Sequence, residues 1–218
     1  MKKETCKDFC ISIFCLMAFV LLTVLLRLVD VQPIGPNGSS VGFATVNQIV
    51  HNFTGVNWYF YYITDLLSII PIFIVIGFAV FGLFQWINRK DIRKVDCDIL
   101  LLGGLYIVVA AVYLLFETIV VNYRPVLVDG LLEPSYPSST TMLVLCVMST
   151  ALIQIDSRFG KSVLKKILLF TIVLFIFIMV TFRLISGVHW FTDIVAGALL
   201  SIGLVLLYKA VAFLSINK

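Results

Sequence analysis

Thr181-Phe-Arg-Leu-Ile-Ser-Gly-Val-His-Trp-Phe-Thr-Asp193 joins two hydrophobic runs, one from about residue 167 to 185 and one from about 190 to 213. Each run is long enough to cross a membrane as a helix. The stretch puts Arg183 six residues before His189, and His189 four residues before Asp193. With a helix over its second half, His189 and Asp193 share one face, one turn apart. A carboxylate there can hold one imidazole nitrogen as N–H and leave the other free as nucleophile or base. Arg183 adds a planar cation matched to phosphate oxygens. The plainer interpretation is packing for the histidine and a membrane-edge role for the arginine. The rest of the chain decides between them.

The composition settles the solvent. Of 218 residues, 61% are hydrophobic and 13% charged, and the mean hydropathy is +1.09. That much apolar surface belongs to an integral membrane protein, and the length suits about six spanning helices of ~20 residues plus loops. The net charge of +4 is spread over loops, so nucleic acid is not an expected partner. Cys6, Cys10, Cys15, Cys97 and Cys146 fall at the basic side of the layout or inside hydrophobic runs, so no disulfide framework is expected. They have no zinc-ligand spacing with His51 or His189.

Four more spans precede the two that meet at residues 181–193. They are expected near residues 9–29, 66–86, 99–121 and 139–155, with Pro71 as a tolerated kink in the second. The first is too long for a signal peptide and has no small-x-small cleavage site after it, so it is read as retained. Phe43, Val46, Val50 and Phe53 recur at helical spacing after a Pro- and Gly-rich loop. They predict a short helix lying on the membrane surface, and Trp58 to Tyr62 predict an aromatic belt. No repeat or low-complexity linker divides the chain. The fold class is therefore all-α: one polytopic domain over residues 1–218, a bundle of six transmembrane helices with a short interfacial helix.

Charge gives the orientation. Of sixteen Lys and Arg residues, all but Arg27, Arg124 and Arg183 fall on one side of this layout. The positive-inside rule puts both termini in the cytoplasm and brings Arg124, the Pro137-Ser-Ser-Thr140 segment and the 183–193 group together on the outer face. Two arginines beside a His–Asp pair exceed what a membrane edge needs. Ser or Thr directly before a span is an N-cap, and the N–H groups of the helix start it caps also form an anion site.

These residues resemble the type 2 phosphatidic acid phosphatases, the lipid phosphate phosphatase and haloperoxidase group. The pattern of that family is Lys-x6-Arg-Pro, then Pro-Ser-Gly-His, then Ser-Arg-x5-His-x3-Asp. Here it reads Glu117-x6-Arg124-Pro125, then Pro137-Ser138-Ser139-Thr140, then Phe182-Arg183-x5-His189-x3-Asp193. The resemblance implies that His189 attacks phosphorus to form a phospho-histidine and that Asp193 orients it. It implies that Arg124, Arg183, Ser138, Ser139 and Thr140 surround the phosphate, and that no metal or other cofactor takes part.

Three departures shape the expectation. Thr140 stands where the family has the histidine that protonates the leaving group, Glu117 replaces a phosphate-binding lysine, and Phe182 replaces a serine. Loss of a general acid costs about 10²–10⁴-fold in rate. The loss weighs most on an alkoxide leaving group and least on a phosphate, whose second pKa is about 6. The departure therefore favours a diphosphate lipid, such as a polyprenyl diphosphate, over phosphatidic acid. Glu117 lies two helical turns before Arg124, roughly 10 Å along an axis, if the helix continues. An ion pair with Arg124 or Arg183 is the expected arrangement, and a protonated Glu117 that donates to the substrate is the alternative. His51 is expected to be interfacial, with a replacement acid that folds over the site as the alternative, and Asp65, Asp129 and Glu133 are expected to be solvated or interfacial.

The sequence thus predicts a lipid phosphatase in a cell membrane, with a phosphorylated lipid substrate met at the outer face. The chain length and the resemblance point to a bacterial cytoplasmic membrane. The competing class is an impaired member that binds or moves phosphorylated lipids without hydrolysing them. Lipid tails are expected to enter between the third, fourth and sixth spans.

Overall fold

The computed structural model describes residues 2–216, so the expectations for the ends at Met1 and Lys218 lie outside the described residues. Its helices are α1 (Lys2–Leu25), α2 (Ala44–Thr54), α3 (Trp58–Leu67), α4 (Ile69–Arg89), α5 (Cys97–Thr118), α6 (Ser139–Arg158), α7 (Val163–Ile185) and α8 (Phe191–Ile216). With α3 and α4 taken as one segment, Trp58–Arg89, six helices among the described residues are long and apolar enough to cross a membrane. The protein is a multi-pass, all-helical membrane protein. Helices dominate because hydrocarbon offers no partner for a backbone N–H or C=O, and a helix satisfies both within itself.

The second span starts earlier than its hydropathy suggested. Trp58 to Tyr62 form the opening of α3 and lead directly into the span. The break comes at Ser68, three residues before Pro71. Proline has no N–H for the residue-67 carbonyl, and its ring crowds that carbonyl. At the break, Ser68 donates its hydroxyl to the Asp65 carbonyl at 2.5 Å. The predicted surface helix is α2, which buries Ala44 and Asn47 and exposes Val46, Ile49 and Phe53.

Two spans form the centre of the bundle. In both α6 and α8, 56% of the most apolar window is buried, against 11% in α7, whose Phe170, Val173 and Phe177 face outward. α1 lies close along α8 because Gly203 has no side chain: a Cβ there would come within 2.7 Å of Leu16. Ser12 donates to the Gly203 carbonyl at 2.7 Å at the same crossing. Small residues that let backbones approach are the usual means of packing helices in lipid.

The basic end of the bundle is cross-tied by polar groups. Asp98 accepts from Arg158 Nη2 at 2.6 Å and from Gln154 Nε2 at 3.0 Å. Asp96 accepts from Arg89, Arg158 and Gln85 at 2.8, 3.1 and 2.8 Å. Tyr208 of α8 donates to the Asp98 backbone carbonyl at 3.3 Å. Burial opposes ionisation of Asp96, but hydrogen bonds from Arg89, Gln85 and Arg158 win and hold its pKa below the ordinary carboxylate value. The cluster joins α4, α5, α6 and α8, and leaves the opposite end to the loops.

Candidate active site

At that opposite end, α5 runs out into a long loop before α6, and α7 turns into α8. His189 lies in the second of these connections. The turn requires Gly187, whose φ is +64° and whose added Cβ would meet the Gly55 carbonyl oxygen at 1.7 Å. The link from α2 to α3 packs there, and the Asn57 N–H donates to the Ser186 carbonyl at 2.9 Å.

His189 is buried and its two ring nitrogens have different partners. Nδ1 lies 3.1 Å from the backbone oxygen of Ser135. A carbonyl only accepts, so Nδ1 carries the proton and the lone pair is on Nε2. Arg124 Nη1 donates to that lone pair at 3.2 Å. Burial, followed by the charges of Arg183 and Arg124, drives the His189 pKa well below the ordinary 6.5, although the Ser135 carbonyl opposes the shift. The ring is neutral at pH 7.

Asp193 is fully buried but does not hydrogen-bond the ring. Its Oδ2 stands 3.7 Å from Nδ1 and accepts the Trp190 N–H at 3.0 Å. Its Oδ1 accepts from Asn122 Nδ2 at 3.5 Å. The helix begins at Phe191, after His189, so the one-turn face expected for residues 189 and 193 is only partly realised. Asp193 shapes the turn around the histidine and sets its carboxyl group behind the ring.

The two arginines converge. Arg183, 1% exposed, donates from Nη1 to Thr64 Oγ1 at 3.3 Å and lies 4.8 Å above the Tyr61 ring. Arg124 lies 5.9 Å from the same ring centroid. Its Nε is 3.0 Å from Glu133 Oε2, within ion-pair range, but the N–H is not aligned for a hydrogen bond. Glu133, expected to be solvated, is thus the partner of Arg124. The expected ion pair from Glu117 does not form: Glu117 is exposed. α5 ends at Thr118, so the helical spacing between 117 and 124 never exists. Instead residues 123–134 fold back as a hairpin, with Tyr123 opposite Pro134, and the Arg124 N–H donates to the Glu133 carbonyl at 3.0 Å. Asp129-Gly130, both at positive φ, form its tip, and an Asp-Gly pair is the sequence signal that marks such a hairpin.

Glu117, Arg124, Ser135, Ser139 and His189 line a small cavity of about 20 Å³. A second cavity of about 450 Å³ abuts it at Ser139 and is lined by Asp65, Ser68, Thr140 and apolar residues of α4, α5 and α6. Thr140 therefore faces the second space and not the histidine cavity. Ser138 caps α6: its Oγ accepts from the Thr141 hydroxyl at 3.0 Å and the Thr141 N–H at 3.4 Å. Its own N–H donates to the Asp193 backbone carbonyl at 3.1 Å, tying the two helix starts together. Phe182 packs on Phe60 with ring centroids 4.6 Å apart. His51 rests on the Trp190 ring at 5.5 Å, outside both cavities, and burial lowers its pKa. Among the described residues, no group of three or more His, Cys, Asp or Glu side chains is placed to hold a metal ion.

Sequence reasoning missed Tyr61, Thr64 and Ser135. The first two lie about 120 residues from Arg183 in the chain, and Ser135 reaches His189 through its backbone, which no side-chain pattern reports.

A sequence model of the PAP2 superfamily matches residues 117–216. No curated protein matches the sequence. Among solved structures, the fold is similar to that of the first transmembrane PAP2 type phosphatidylglycerolphosphate phosphatase from Bacillus subtilis, with a TM-score of 0.62 and 17% identity over 95% of this chain and 97% of that one. The matched segment, just under half of the chain, holds His189, Asp193, Arg183, Arg124 and the start of α6, and in this segment the chain is similar to the PAP2 superfamily.

Proposed function

We propose that this protein is a lipid phosphatase, one domain over residues 1–218, that works through a phospho-histidine at the outer face of a bacterial cytoplasmic membrane with both termini inside. The observation that carries the reading is the state of His189: Nδ1–H is fixed on the Ser135 carbonyl and Nε2 holds its lone pair beside Arg124. An incoming phosphate oxygen takes over the Arg124 donation, which frees the lone pair to attack phosphorus. The bond from phosphorus to the leaving oxygen breaks as the bond to Nε2 forms, and its electron pair departs on that oxygen. Water then hydrolyses the phospho-histidine, restores the imidazole and releases phosphate. Asp193, 3.7 Å behind Nδ1, offsets the positive charge that develops on the ring. Arg124, Arg183 and the α6 start with Ser138, Ser139 and Thr140 supply the preorganised positive field that phosphoryl transfer mainly requires.

The leaving group decides the substrate. Among the described residues, no histidine other than His189 lines either cavity. A diphosphate lipid, whose leaving phosphate needs little protonation, suits this site better than a monoester. Glu117, at the mouth of the histidine cavity, is the carboxyl group placed to modulate that step. The larger cavity lies between the second, third and fourth spans, not the expected third, fourth and sixth, and its apolar walls suit a lipid tail.

The test is phosphate release by the purified protein, with EDTA present, from a polyprenyl diphosphate and from phosphatidic acid, alongside His189→Ala. Release from the diphosphate that the variant abolishes supports the reading. No release from either lipid, with phosphate binding intact, would leave a protein that binds phosphorylated lipids without cleaving them.

A further inference from the structure

Two like charges share this site, and one aromatic ring lies against both. The guanidinium carbons of Arg183 and Arg124 stand 4.8 and 5.9 Å from the Tyr61 ring centroid. Tyr61 and Thr64 occupy one face of α3, three residues apart. The Thr64 hydroxyl has the Phe60 and Tyr61 carbonyls as acceptors, each at 2.9 Å, so its oxygen stays open to the N–H of Arg183 at 3.3 Å. The Nε of each arginine has no aligned hydrogen-bond partner. Two buried guanidiniums repel each other and would turn apart unless something attracted both. The face of an aromatic ring does so, through its quadrupole.

We propose that Tyr61, with Thr64 beside it, is a positioning residue that holds Arg124 and Arg183 together as one receptor for a phosphate group. Tyr61 lines neither cavity and acts through the two arginines. α3 lies outside the segment that the superfamily pattern covers, so this platform is an addition from another part of the chain. The inference rests on the reading of both arginines as phosphate ligands.

The test is the midpoint of thermal stabilisation by inorganic phosphate, measured on the full chain in detergent or nanodiscs. Phosphate stabilises the wild type and Tyr61→Phe with midpoints within about twofold, because phenylalanine keeps the ring face. Tyr61→Leu needs about tenfold more phosphate, the loss expected of a desolvated cation–π contact. Thr64→Val, nearly isosteric, raises the midpoint about threefold and gives a second reading if the leucine variant does not fold. Unchanged midpoints in Tyr61→Leu and Thr64→Val, with the wild type still stabilised, overturn the platform alone. A wild type that phosphate does not stabilise removes the phosphate reading of the arginines, and the platform with it.

Discussion

The carbonyl oxygen of Ser135 lies 3.1 Å from Nδ1 of His189, nearer than the carboxylate of Asp193 at 3.7 Å. Ser135, directly after the 123–134 hairpin, therefore sets the histidine tautomer, while Asp193 supports the turn. Asp193→Asn keeps an oxygen for the Trp190 N–H and is expected to lower kcat by about ten- to a hundredfold. His189→Ala removes the proposed nucleophile and is expected to lower it by more than about 10⁴-fold. Steady-state kinetics on the two variants check the order; equal losses would return the orienting role to the carboxylate.

Burial and two cations lower the His189 pKa well below 6.5, so the imidazole remains neutral as the pH falls past that value. The acid limb of kcat/KM assigned to the enzyme is expected below pH 6.5. The same shift affects stability with a definite sign. Below 6.5 the unfolded chain protonates this histidine while the folded chain does not, so the unfolded state binds more protons. The contribution is complete above 6.5 and is lost as the pH falls through 6.5 toward the depressed folded value. Thermal unfolding of wild type and His189→Gln between pH 5 and 7 reads the difference.

If the absence of an acid near the leaving group sets the substrate, returning one should change the preference. Thr140→His is expected to raise turnover of a phosphate monoester by about tenfold or more and to affect a diphosphate little, so the ratio of the two rates rises. The second cavity beside Thr140 has room for the imidazole. A ratio that does not move argues against the leaving-group explanation.

Restoring a cation at Glu117 tests the other altered position. This carboxylate lines the histidine cavity beside Arg124. Glu117→Lys is expected to lower the inhibition constant for inorganic phosphate by about tenfold at low salt, and by less as salt screens the exposed charge. Competition assays at two ionic strengths measure both effects.

At the far end of the bundle, Arg158 joins Asp96 and Asp98. Arg158→Ala leaves a buried carboxylate on Asp98 without its cation and is expected to cost about 3 kcal/mol of stability. KM should be unchanged, because the cluster and the histidine lie at opposite ends of the spans. Denaturation and kinetics on one preparation separate the two quantities.

Hydropathy alone located the spans, because lipid imposes one rule on every buried backbone group. It placed the second span late, since aromatic residues such as Trp58 and Tyr59 suit both an interface and a helix start. Arg183, His189 and Asp193 were legible because they are close in sequence and flank a helix start. The partner of Arg124 is not legible in the same way: the spacing from Glu117 reads as one helical face, whereas the chain leaves the helix at Thr118 and turns back at the Asp129-Gly130 hairpin tip. Tyr61 and Thr64 meet Arg183 only through the packing of α3 on α7, which a local pattern does not encode.

The ion-pair cluster that ties α4, α5, α6 and α8 has a consequence for how the molecule fails. Warming or harsh detergent is expected to loosen first the end joined by the 119–138 and 186–190 connections, which lies away from that cluster. Amide exchange there should quicken, and turnover should fade, at temperatures where the helical circular dichroism is still intact.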